Sequence, residues 1–180
     1  MCGIIGYLGP QEAMPIILDG LKRLEYRGYD SAGMAVITDH GLAIRRSVGK
    51  LKELENLLRQ DPLYGQVGIG HTRWATHGRP SETNAHPHLV GSIAVVHNGI
   101  IENYLELKET FIKEGHRFSS ETDTEIVSHL IVKHLDQGAP YLTAVQQTLK
   151  EIQGSYALAI VNANEPRMLV AARKESPLIL

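Results

Sequence analysis

Apolar positions recur along this chain with two periods, and the switches between them mark out its elements. Cys2 to Leu8, CGIIGYL, is a short apolar run stopped by Gly9-Pro10 and predicts a strand. From Met14 the period lengthens: Met14, Ile17, Leu18, Leu21 and Leu24 fall on one helical face, and the helix should stop near Arg27-Gly28. Gly33 to Thr38 and Leu42 to Ser47 predict two strands around the turn Asp39-His40-Gly41. Leu51, Leu54, Leu57 and Leu58 predict a second helix, which Asp61-Pro62 ends.

Gln66 to Thr72 and Ser92 to His97 predict strands separated by a polar loop rich in His, Pro and Gly. Ile101, Leu105 and Ile112 predict a third helix over 101–114. Thr122-x-x-Glu125 has the form of a capping box before Ile126, Val127, Leu130 and Ile131. Leu142, Val145, Leu149 and Ile152 predict a further helix, and Ser155 to Asn162 with Arg167 to Ala172 a closing hairpin. Ser176 to Leu180 reads as the start of another strand, with the expectation that the fold continues past it.

In Ile93-Ala94-Val95-Val96 and in Tyr156 to Val161 both alternating faces are apolar, so these strands are to be covered on both sides. Turn-linked pairs call for antiparallel sheets, and the amphipathic helices need surfaces to cover. Both demands are met by an α+β arrangement of four layers, αββα: two mainly antiparallel sheets packed together with helices outside.

Composition narrows the function classes. The chain has 180 residues, enough for one domain with a real core, with 43% hydrophobic and 21% charged residues. A net charge of −2 gives no basic field for nucleic acid or for an acidic membrane surface. No apolar run is long enough to span a bilayer, and the start lacks the pattern of a secretory leader. A single cysteine cannot form an intramolecular disulfide, which fits a reducing compartment and makes the cytoplasm the expected location.

That cysteine is Cys2. It is either an inert small residue or a nucleophile; removal of Met1, usual before a small residue, would give it an α-amine of its own. Such an amine has a pKa of roughly 7.7–8.0 and can serve as a base for the thiol. His71-Thr72-Arg73-Trp74-Ala75-Thr76-His77-Gly78 is the densest polar cluster. Arg73 offers a planar fork for a carboxylate, Thr76 and His77 add donors, and Trp74 can exclude water. An ordinary surface turn with a salt-bridged arginine accounts for the same residues. Asn98-Gly99 supplies an amide and a close backbone N–H, the makings of an oxyanion hole, or else a tight turn. Asp123 can take an ammonium group, or the acidic run 120–125 simply favours a helix start. Nine histidines, among them His71, His77, His86, His88 and His97, raise a metal site; without a cysteine pair or His-Glu-x-x-His it is disfavoured.

Four blocks taken together are more specific: CGIIGY, RLEYRGYDSAG, HTRWATHGRPSETNAHPH, and VVHNGIIENY followed by SETDTE. In this order they resemble the class II, N-terminal nucleophile glutamine amidotransferases. Within that class the forms LEYRGYDSAG and HTRW resemble the glutaminase domain of glutamine–fructose-6-phosphate aminotransferases, the enzymes that make glucosamine 6-phosphate. GSYALAI and LVAARKESPL extend the likeness over residues 2–180.

The resemblance implies a glutaminase domain of αββα fold, incomplete at its C-terminus. In it Cys2 would attack the side-chain amide of L-glutamine to give a thioester and ammonia, its freed α-amine acting as base. Asn98 and Gly99 would form the oxyanion hole. Arg73, Thr76 and His77 would hold the substrate carboxylate and Asp123 its ammonium group, with Trp74 and Arg27 closing the site towards an ammonia channel. No cofactor and no metal are implied. The family's sugar-isomerase domains, which carry the fructose 6-phosphate site, match no segment of this chain, and the full-length enzymes are expected to be homo-oligomers. A different class II amidotransferase, or a non-catalytic module that binds glutamine, remains an alternative.

Overall fold

Strand β2 (Ser31–Thr38) shows how the layers arise. Ala32, Met34 and Val36 point one way and Ala35 and Ile37 the other, and all five are buried. A strand with two apolar faces needs a cover on each. The computed structural model of the protein describes residues 2–27, 30–74 and 78–179. Among these, β2 lies in a four-stranded antiparallel sheet with β1 (Gly3–Leu8), β3 (Gly41–Val48) and β4 (Val67–Arg73), ordered β1-β4-β2-β3. Helices α1 (Ala13–Leu24) and α2 (Leu51–Gln60) cover its outer face through Ile17, Leu21, Leu54 and Leu58.

The second sheet is built on the same plan from β5 (His88–Val90), β6 (Ile93–Ile101), β7 (Gly154–Asn162) and β8 (Leu169–Lys174), in that order and antiparallel throughout. Ile93, Val95, Leu158 and Ile160 meet Phe111, Ile126, Leu130 and Val145 from helices α3 (Tyr104–Lys113), α4 (Glu125–Asp136) and α5 (Tyr141–Glu151). Between the sheets Ala35, Ile37, Val67 and Ile69 pack on Ala94, Val96, Ala159 and Val161. Small residues on both inner faces let the sheets approach closely. The four layers are those expected from the doubly apolar strands.

Several boundaries differ from the sequence pattern, each for a physical reason. β6 runs to Ile101 because Asn98 to Ile101 pair with Gly154 to Ala157, so the third helix begins at Tyr104 rather than 101. β5 is only three residues long and pairs entirely through β6, which leaves no periodic signal. The capping box does not form: α4 begins after Thr124, and the Glu125 carboxylate reaches back to Ser119 and Ser120 instead of to Thr122. The closing hairpin holds, with its last strand shifted to Leu169–Lys174. Pro177 to Ile179 do not form a strand: Glu175 turns the chain at φ 60° after a single bridge to Tyr156.

Near one end the first sheet touches, at backbone level, the segment that leads into the second. Gly33 lies in the same inward row as Ala35 and Ile37, and a Cβ there would run into the carbonyl oxygen of His86. Gly33→Ala is therefore expected to push the 84–88 segment off the sheet at a cost of about 1–3 kcal/mol, the usual range for overpacking. A urea midpoint unchanged from the parent would contradict this close approach.

Candidate functional site

The end of the sandwich where β1 begins opens into a cleft of about 380 Å³, lined by Cys2, Arg73, Trp74, Asn98, Gly99 and Asp123 among others. This volume is in the range that holds a small molecule. Each element contributes by its register. Gly3 pairs with Thr72, which sets Cys2 beside the end of β4 and brings its sulfur to the Trp74 backbone. The Trp74 N–H donates to Cys2 Sγ at 3.2 Å, and the Trp74 carbonyl oxygen is 3.6 Å from the same sulfur. Burial raises the Cys2 thiol above the ordinary range, with the Trp74 N–H acting in the opposite direction.

Arg73 is 3% exposed, far from the surface-turn arginine that sequence alone allowed. Its guanidinium donates to the Gly78 carbonyl at 3.0 Å and stands 3.7 Å from the Asp30 carboxylate. A buried cation beside one carboxylate, at the wall of an open cleft, can still receive a second anion. Trp74 is half exposed at the rim.

Asn98-Gly99 is not a turn; both residues lie within β6. The Asn98 amide donates to the Cys2 backbone carbonyl at 3.4 Å, so this donor already points at the thiol-bearing residue. Gly99 adopts φ +140°, and a Cβ would strike the Ser155 carbonyl oxygen, so only glycine fits. Asp123 is 4% exposed and accepts from the Ile101 backbone N–H at 2.8 Å. It thereby ties the loop before α4 to β6 two residues beyond Gly99. Cys2, Arg73, Trp74, Asn98, Gly99 and Asp123 are thus brought together. Thr76, His77 and the Arg27 side chain lie outside the described residues.

Behind the cleft stands a cluster that the sequence had raised only as a metal possibility. His71 stacks on His86 with ring centroids 4.2 Å apart, and His86 meets His88 edge-on at 4.6 Å. Their ring nitrogens bond to hydroxyl and carbonyl groups: His71 to the His97 carbonyl, His86 and His97 to Thr124, and His88 to Thr122. Among the described residues no group of three or more His, Cys, Asp or Glu is arranged to hold a metal ion. Burial pushes His71 and His88 down to about 3 and His86 well below the ordinary imidazole range. For Glu125 burial opposes ionisation, but His129 nearby and the N–H and O–H donors of Ser119 and Ser120 win and hold its carboxyl well below the usual range. Asp30 and Thr124 were not singled out from sequence, and Thr122 only as a helix cap. Their roles depend on which strand ends meet, and no local spacing carries that.

Residues 71–178 match the glutamine amidotransferase domain family. The chain belongs to it. This glutamine amidotransferase domain is 53% identical over 99% of its length to the glutamine–fructose-6-phosphate aminotransferase (isomerizing) of Mesorhizobium japonicum. It is 54% identical over its full length to that of Caldanaerobacter subterraneus. The domain spans about 30% of the length of these curated relatives. Among solved structures it is similar to the glutamine phosphoribosylpyrophosphate amidotransferase of B. subtilis, with a TM-score of 0.78 and 27% identity, covering 91% of this chain and 35% of that one. The αββα architecture expected from the strands is the architecture of this family. No helix among the described residues is long and apolar enough to cross a membrane.

The histidine cluster makes the domain's stability depend on pH in a definite direction. In the unfolded chain each imidazole protonates near pH 6.5, whereas His71, His86 and His88 in the fold stay neutral to far lower pH. Between those limits the unfolded state holds more protons, so stability is full above pH 6.5 and falls as pH drops. Glu125, with its depressed carboxyl, adds a loss of the same sign at lower pH. Urea unfolding at pH 7.5 and 5 should show the decline, each histidine contributing up to about 1.4 kcal/mol per pH unit. A flat profile over this interval would contradict neutral buried imidazoles.

Proposed function

We propose that this domain hydrolyses the side-chain amide of L-glutamine through a thioester on Cys2. The observation that carries the reading is the meeting, in one cleft, of a thiol, a buried cation, a buried carboxylate and an amide donor. A zwitterionic amino acid calls for this set. Arg73, joined by Thr76 and His77, binds the α-carboxylate, and Asp123 binds the α-ammonium. The substrate amide is left facing Cys2.

The chemistry follows from the state of the thiol. Burial keeps the Cys2 sulfur protonated at neutral pH, so attack needs a base. With Met1 removed, the α-amine of Cys2 takes that proton, directly or through a water, as sulfur bonds to the amide carbon. The oxyanion is received by the Asn98 side-chain amide and the Gly99 N–H. The tetrahedral intermediate collapses with proton transfer to the leaving nitrogen, releasing ammonia. Water then cleaves the thioester to glutamate and restores the thiol. Trp74 and Arg27 shield the cleft and direct the ammonia onward.

In the longer relatives the name glutamine–fructose-6-phosphate aminotransferase gives the acceptor. We infer the same use here: ammonia from this domain aminates fructose 6-phosphate on sugar-isomerase domains, giving glucosamine 6-phosphate in a cytoplasmic homo-oligomer. Identity above 50% to such enzymes supports this choice over other class II amidotransferases.

Cys2→Ala is expected to abolish glutamate release while glutamine still binds, and protein that retains Met1 is expected to be inactive. Asn98→Ala should lower turnover by roughly 10²–10³-fold, the usual effect of losing one oxyanion donor. Glutamate release measured on each form checks all three, with intact mass reporting the Met1 state and any glutamyl adduct on Cys2. Glutamine binding that never yields an adduct on the Met1-free protein would identify a sensing module instead.

A further inference from the structure

The Thr124 hydroxyl sits at a junction. Its Oγ1 is 2.9 Å from His86 Nε2, 3.0 Å from His97 Nδ1 and 3.5 Å from Asp123 Oδ1. One hydroxyl has a single proton to give and two lone pairs to receive. We propose that Thr124 is a positioning residue that gives its proton to Asp123, with His86 and His97 as its two donors, so that the carboxylate is held ready for a substrate ammonium group. The proposal rests on the reading of Asp123 given above.

The proton directions follow from the neighbours. His97 Nδ1 also lies 4.0 Å from Asp123 Oδ2. A lone pair there would face a buried carboxylate, so Nδ1 carries the hydrogen. With the hydroxyl proton directed to Asp123, its strongest acceptor, His86 Nε2 must be N–H as well. His71 Nε2 faces the His97 carbonyl at 3.0 Å, and a carbonyl only accepts, so it too is N–H. The remaining nitrogens of His71 and His86, both Nδ1, have no hydrogen-bond partner among the described residues. They are the atoms this assignment leaves as bare lone pairs, which cost less to bury unpaired than N–H groups of a charged ring. His86 and His97 thus donate to Thr124 and Thr124 to Asp123, whose other oxygen is fixed by the Ile101 N–H.

A parallel chain stands beside it. His88 Nε2 meets Thr122 Oγ1 at 2.9 Å, Thr122 meets Ser120 Oγ at 3.1 Å, and Ser120 donates to Glu125 at 2.6 Å. That chain ends on a carboxylate which takes four donors from Ser119 and Ser120 and does not line the cleft. Of the two carboxylates, Asp123 is the one that lines the cleft, so the Thr124 branch is the one that ends on a carboxylate within reach of a ligand.

The test uses the Cys2→Ala form of the whole chain, which binds without turnover, in two measurements. Long-range ¹H–¹⁵N spectra should show His97 as the Nδ1–H tautomer and His71 and His86 as Nε2–H, with the His97 preference lost in Thr124→Val and kept in Thr124→Ser. By calorimetry, Thr124→Val should weaken glutamine about tenfold, Thr124→Ser should restore it, and glutaric acid monoamide, which lacks the α-amino group, should bind parent and variant alike. An Nε2–H tautomer at His97, or equal loss of affinity for both ligands, overturns the proposal. So does unchanged glutamine affinity in Thr124→Val where Asp123→Asn weakens it. If Asp123→Asn also binds glutamine normally, the assignment of Asp123 to the ammonium group is what fails, and the role of Thr124 falls with it.

Discussion

The pairing of β1 with β4, Gly3 opposite Thr72, sets where the chain's one thiol can stand. Side chains alternate across a strand, so a slip of one residue would turn Cys2 from the inter-sheet side to the helix side. The register is held by what lies farther along. Ile4 belongs with the residues between the sheets, and Ile5 and Tyr7 pack under α1 and α2. The apolar alternation of one short strand thus fixes the sulfur against the Trp74 N–H, with Arg73 one residue away. The cleft inherits its geometry from hydrophobic burial several residues distant.

The opposite wall is organised by polar groups. Asn98 and Gly99 keep their places because β6 continues past them and pairs with β7 on the far side. Asp123 and the histidine–threonine group bind that strand to the start of α4. Buried imidazoles in such number cost desolvation, and their hydrogen bonds offset it only while they remain neutral. The domain therefore holds its cleft-lining carboxylate with groups that tolerate neutral conditions and not acid ones.

Much of this was legible in the residues. The double apolar faces of Ile93–Val96 and Tyr156–Val161 led to the layers, since two packed sheets with helices outside cover both sides of each. The positions of Cys2, Arg73, Asn98 and Asp123 at strand ends and a helix start were legible as candidates. That they face one another was not, because each also fits an ordinary local role. The misread boundaries lie where long-range pairing overrides local pattern: Asn98 to Ile101 read as a turn and helix start, yet β7 extends them as strand. The capping box failed for a related reason, as Thr122 is bonded to His88 from the other end of a long connection. Thr124 could not have been picked out at all, since a threonine before a helix is the commonest of signals.

Among the described residues β1 is an edge strand paired with β4 alone, and this has a consequence for how the molecule is made. Until residues 67–73 have left the ribosome, β1 lacks this partner. At ordinary rates of synthesis that interval is on the order of several seconds. An aminopeptidase that removed Met1 in this interval would act before the sulfur is drawn against the Trp74 backbone. If Cys2 acts as proposed, the window for its maturation would be set by the distance in sequence between two strands, and a faster-pairing partner for β1 would close it.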